Sequence, residues 1–121
     1  MQNQTSRRTG EDKNIYDVSV WRSKATGKFV IFSTNQSAKE RFKEEASVSQ
    51  SKKYPSASYA KSPLRDDLLK FGGSVPPVEM INQFTQIDFL TVYGKGEGQK
   101  AKKMLSHLYN TNNPAIGYNR L

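Results

Sequence analysis

The side chains able to do chemistry in this sequence are mostly cations. Lys95, Lys100, Lys102 and Lys103 crowd into one short stretch. Lys52, Lys53 and Lys61 alternate with Tyr54 and Tyr59 in another. Ammonium groups neutralise phosphates and tyrosine rings stack on bases, so this pattern suits a nucleic-acid backbone. Nineteen Lys and Arg against eleven Asp and Glu leave a net charge of +8 over 121 residues. The excess is spread over the body and not held in one tail, with a pI near 9.8, which is the electrostatic footprint of a polyanion binder. There is no cysteine, which excludes a disulfide scaffold, thiolate zinc ligation and thiol catalysis. The single histidine, His107, has no acid or metal-ligand partner in sequence and reads as a surface or packing residue.

Two other patterns carry less. The run Gly94-Lys95-Gly96-Glu97-Gly98 has the glycines of a phosphate loop but not the spacing that ends in Lys-Ser/Thr. It is therefore read as a glycine-rich connection. No apolar run reaches the roughly 18 residues of a membrane span, and the opening residues have no apolar signal core. The expectation is a soluble, intracellular, cytoplasmic protein with no membrane partner and no cofactor.

These residues need elements to position them. Hydrophobic residues make up 35% of the chain, enough for one modest core. Residues 1–13 have no apolar pattern and read as a flexible tail, leaving 14–121 as a single domain. Residues 14–21 and 28–34 are rich in β-branched and aromatic types and read as strands joined by a Thr-Gly turn. Ser37 and Glu40 form a capping box for a helix with Ala38, Phe42 and Ala46 on its inner face. Ser62 and Pro63 start a second helix, and Gly72-Gly73 is expected to stop it with a left-handed glycine. Residues 74–84 read as a third strand carrying Val78, Met80 and Phe84, and residues 87–93 as an apolar run of open type. Residues 98–110 read as a last helix, with Ala101, Met104, Leu105 and Leu108 on one face. The order β-β-α-α-β-α gives a small α+β (α/β) layer, a three-stranded antiparallel sheet flanked by helices.

In that order the residues resemble the GIY-YIG nuclease family over about residues 14–120. Asn14-Ile15-Tyr16 stands where the first motif half would be, and Val30-Ile31-Phe32 where the second would be. Ser62–Gly72 (SPLRDDLLKFG) looks like the family's second helix. Leu105–Asn119 (LSHLYNTNNPAIGYN) looks like its last helix and closing segment. Arg41 falls at the helix-one arginine.

The resemblance implies a site of two tyrosines, that arginine, a metal-holding glutamate and a terminal asparagine. Tyr16 would be the first tyrosine, or Ser19 in a shifted register, and Asn119 the asparagine. The second tyrosine is absent, and the glutamate position falls on Lys102, which reverses the charge a divalent cation needs. The expectation is an inactive nuclease fold, with Tyr16, Arg41 and Asn119 as vestiges. Nucleic acid, DNA in the first place, would bind along Arg41, Lys52, Lys53, Lys61, Lys95, Lys100, Lys102 and Lys103. Two alternatives stay open. One is a structural or regulatory subunit of a larger assembly, for instance a viral or phage one. The other is a rearranged metal-dependent nuclease using Glu97 or Asp88. Each vestige also has a plain reading: Tyr16 as a half-buried strand residue, Arg41 as part of a solvated helix face, Asn119 as a turn cap.

Overall fold

The computed structural model describes residues 14–119, so the tail expected at 1–13 lies outside the described residues. Strand β1 (Ile15–Ser23) pairs antiparallel with β2 (Phe29–Thr34) and with β3 (Phe84–Tyr93), giving the order β2-β1-β3. Helices α1 (Ala38–Ser49), α2 (Pro63–Gly72) and α3 (Lys95–Tyr109) complete the fold, with a 3-10 helix over Pro77–Gln83. The architecture is α+β, a three-stranded antiparallel sheet flanked by helices. Among the described residues no helix is long and apolar enough to cross a membrane.

Alternation along β1 sends neighbouring side chains to opposite faces. Val18 and Val20 pack with Ile31, Ala101 and Leu105 under α3. Trp21 packs with Val30, Phe32 and Phe42 under α1 and α2. Phe42 is the centre of that second cluster, with its ring 5.2 Å from Trp21, 4.9 Å from Phe32 and 4.5 Å from Phe84. Each such aromatic pair adds about 0.5–1.5 kcal/mol beyond area burial.

The caps expected from sequence are present. Ser37 Oγ accepts from Glu40 N at 3.1 Å and Ser62 Oγ from Arg65 N at 3.1 Å. The stop of α2 is different from the expected one. Gly73 has φ −61°, an ordinary helical value, so no left-handed glycine ends the helix. The two glycines answer close approach instead. A Cβ on Gly72 would lie 2.8 Å from Met80 Cε, and one on Gly73 2.7 Å from the Leu69 carbonyl.

The third strand also lies later than expected. Residues 77–83 form the 3-10 helix, and the strand is Phe84–Tyr93. Pro76 and Pro77 fix φ and remove two backbone donors. Met80 and Ile81, adjacent in sequence, are both buried, which a strand with one buried face does not permit. Helix α3 takes in most of the glycine run as its first turn. Gly98 is buried there, where a side chain would collide with Ser33 Oγ and come within 3.3 Å of Tyr16 Cβ. Only Ala101 and Leu105 of the expected inner face are buried. Met104 and Leu108 are 59% and 69% exposed, because the sheet covers a single narrow stripe of the helix.

The segment after α3 returns to the outer edge of β2. Phe29 N donates to Ile116 O and Tyr118 N to Phe29 O, both at 2.9 Å. The Asn119 side chain extends this pairing: Ile31 N donates to its Oδ1 at 2.8 Å, and its Nδ2 donates to Ile31 O at 3.0 Å. Asn119 therefore acts as one further backbone unit along the edge.

Candidate functional site

Around that edge of β2 the two helical layers come within reach of one another. There they enclose a cleft of about 280 Å³. Arg41 and Glu45 line it from α1, Arg65 from α2, Lys102 from α3, and Asn119 from the closing segment, with Lys61 at the rim. The cleft thus holds four cations and one carboxylate.

Glu45 organises the two arginines. Arg41 Nε donates to its Oε2 at 3.2 Å and Arg65 Nε to its Oε1 at 2.8 Å. Arg65 Nη1 also donates to the Ala60 carbonyl at 2.8 Å. The Arg41 guanidinium carbon sits 4.5 Å from the centre of the Phe32 ring, a cation–π contact that fixes its plane. Both arginines thus donate to Glu45 through Nε. A planar fork suits a phosphate's paired oxygens.

Lys102 is placed differently. It is half-buried, and no salt bridge ties it among the described residues. Burial, and then the charge of Arg41, lower its pKa, while Glu45 acts in the opposite direction. Unlike Lys102, Lys61 is exposed and pairs with Asp66 at 3.6 Å.

Of the residues expected from sequence, Arg41, Lys102 and Asn119 come together at this cleft, with Lys61 at its rim. Tyr16 does not line it. It packs beside Gly98, one turn of α3 from Lys102, or about 5.4 Å along the axis. Ser19, the shifted-register alternative, is buried and accepts from Trp21 Nε1 at 2.9 Å, so it belongs to the core. Lys52 and Lys53 are exposed on the loop between α1 and α2. Lys95, Lys100 and Lys103 are exposed on α3, with Lys100 paired to Glu97 at 3.2 Å. His107 is exposed as well. Tyr54 is committed to a hydrogen bond on Asp66. Asp88 accepts from the Tyr109 hydroxyl at 3.0 Å. Among the described residues no three or more His, Asp or Glu side chains gather as a metal-binding group.

Two residues of the cleft escaped the sequence reading. Glu45 lies four residues after Arg41, the spacing of a helical ion pair, and that signal was available. Arg65 had none, because its partner Glu45 is 20 residues away in sequence.

Comparison with known proteins finds no matching family model, no matching curated protein and no matching solved structure. The functional argument therefore rests on the cleft.

Proposed function

We propose that the cleft binds the phosphate backbone of nucleic acid and that the chain is a catalytically inactive relative of the GIY-YIG nucleases. One observation carries the reading: Arg41, Arg65 and Lys102, from three different helices, converge on one cleft with a single carboxylate among them. Like charges held together in a concave, half-dry site raise the energy of the empty state, and a bound phosphate offsets it. The element order is the one the resemblance implies, and Lys102, which lines the cleft with Arg41, is the residue that the resemblance aligns with the family's glutamate. With lysine there and Phe32 in the second motif half, the reading includes no cleavage.

Binding to a short DNA duplex, followed across a salt series, tests it. Phosphate contact makes log K fall linearly with log salt, with a slope near −0.9 for each phosphate neutralised. A complex at about 50 mM salt that weakens in this way is the expected result. Incubation with plasmid DNA and Mg²⁺ or Mn²⁺ should leave the plasmid intact. Cleavage that is lost in Arg41→Ala would overturn the inactive assignment. A second reading, a subunit of a larger protein assembly, is favoured by one feature, the exposed Met104 and Leu108 on successive turns of α3. Absence of any DNA complex at low salt would turn the argument to that face.

A further inference from the structure

Phosphate binding uses the charge of the cleft, and one of its cations is also a nucleophile. Lys102 is a primary amine set in a concavity, half-buried and tied by no carboxylate among the described residues. The charged groups facing it are Arg41 and Glu45 from α1, Arg65 from α2 and Lys61 at the rim. Glu45 already has both oxygens on the two arginines. Lys103, at the next position of the same helix, is exposed instead. Removing an amine from water beside other cations favours the neutral, nucleophilic form, which condenses with carbonyl carbon.

We propose that Lys102 captures a phosphate-bearing aldehyde as an imine. Resting on the reading of the cleft as a phosphate site, the inference names what sits beside that phosphate: a sugar in its open-chain aldehyde form. Arg41 and Arg65 hold the phosphate, and Lys102 Nζ reaches the carbonyl carbon of the attached sugar. The lone pair of the neutral amine forms the C–N bond, and the carbonyl oxygen takes up a proton. The C–O bond then breaks, and the oxygen leaves as water carrying both amine hydrogens, which leaves C=N. No oxidant, reductant or metal enters the balance. The burial-lowered pKa of Lys102 supports this by supplying the neutral amine nearer to neutral pH. Two sources present the same chemistry, an abasic deoxyribose within a nucleic-acid strand and a free sugar phosphate.

The test is reductive trapping with cyanoborohydride on the full chain. The probes are a single-stranded oligonucleotide with one abasic site, ribose 5-phosphate, and ribose. The expected result is a covalent adduct that peptide mass mapping places at Lys102. It should form on the phosphorylated probes at least about tenfold faster than on ribose, the factor that charge-assisted phosphate contacts supply. Lys102→Arg keeps the charge but cannot form the imine, and it should lose the adduct while keeping the wild-type melting temperature. Lys70→Arg, on the exposed end of α2, should trap as wild type does. Faster trapping of the oligonucleotide than of ribose 5-phosphate identifies the nucleic-acid source, and the reverse identifies the free sugar phosphate. An adduct spread over exposed lysines, or one that persists in Lys102→Arg, overturns the inference. Binding of undamaged DNA with no trapping overturns the inference alone. Trapping of ribose 5-phosphate at Lys102 without any DNA binding overturns the nucleic-acid reading alone.

Discussion

The two faces of the sheet position their cations by different means. Under α1 and α2 the packing is aromatic and layered: Trp21, Phe32 and Phe84 surround Phe42. Arg41 and Arg65 stand on that platform, held by a carboxylate and, for Arg41, by the Phe32 ring. Under α3 the buried packing is aliphatic, with Ala101 and Leu105 of the helix joining Val18, Val20 and Ile31, and a single half-buried ring pair, Phe29 and Tyr109, lies against it. Lys102 rises from that side with no ionic partner among the described residues. The comparison separates two roles. One face builds a rigid fork for an anion, and the other presents a lone amine to whatever the fork holds.

Stability gives the largest expected contrast. Phe42→Ala removes the centre of the aromatic face and should cost about 3–5 kcal/mol, whereas Leu105→Ala should cost about 2–4 kcal/mol under α3. Chemical denaturation of the two variants measures both. Equal costs would mean that the two faces are equivalent platforms.

Glu45→Gln comes next. It weakens two charge-assisted hydrogen bonds at a buried carboxylate and should destabilise the fold by about 1–3 kcal/mol. The same change removes the one negative charge of the cleft, so affinity for DNA should rise as stability falls. A variant that loses both would show that the carboxylate positions the arginines and that its charge is of little consequence to the ligand. Asn119→Ala should cost about 1 kcal/mol, the net worth of its hydrogen bonds to Ile31. Its effect on DNA binding should be small, since the amide is committed to the strand edge.

Much of the frame could be read from the sequence, for reasons tied to particular residues. Ser37 and Ser62 announce their helices through local hydrogen bonds, and a local cause leaves a local mark. The hairpin shows in β-branched runs around Gly27, which takes φ 75° in the turn. Elements governed by distant neighbours were read less well. Pro76-Pro77 could introduce either a strand or a 3-10 helix, and the burial of Met80 and Ile81 in the core, with the segment packed against α1, decides it. The glycines at 94, 96 and 98 argue against a helix by propensity, and the expected start at Gly98 is late: α3 begins at Lys95, with Gly98 already packed against Tyr16 and Ser33. The resemblance implies that Tyr16, Arg41, Lys102 and Asn119 converge; Arg41, Lys102 and Asn119 line one cleft, and Tyr16 does not. The Glu45–Arg65 bridge was not anticipated, since nothing local joins α1 to α2.

The smallest expected effect is a pH dependence. A lowered pKa in the folded state means that the unfolded chain binds more protons between that value and the ordinary lysine range near 10.4. Stability should therefore rise with pH across that window, as folded Lys102 gives up its proton. Lys102→Gln, which carries no charge, should lack this rise. Its stability relative to wild type should be greatest near neutral pH and shrink as pH approaches 10. Thermal melts of both proteins at several pH values read the difference. A constant gap would place Lys102 in free solvent.

The central claim is that position 102 belongs to the anion site while its neighbour does not. Residues 102 and 103 point about 100° apart on a helix, and Lys102 lines the cleft whereas Lys103 is exposed on the helix surface. Affinity for a DNA duplex at low salt, measured side by side for wild type, Lys102→Glu and Lys103→Glu, isolates geometry, because both variants change the net charge equally. The account predicts a loss of tenfold or more for Lys102→Glu, about 1.4 kcal/mol, and a clearly smaller one for Lys103→Glu. Equal losses from the two substitutions would contradict it.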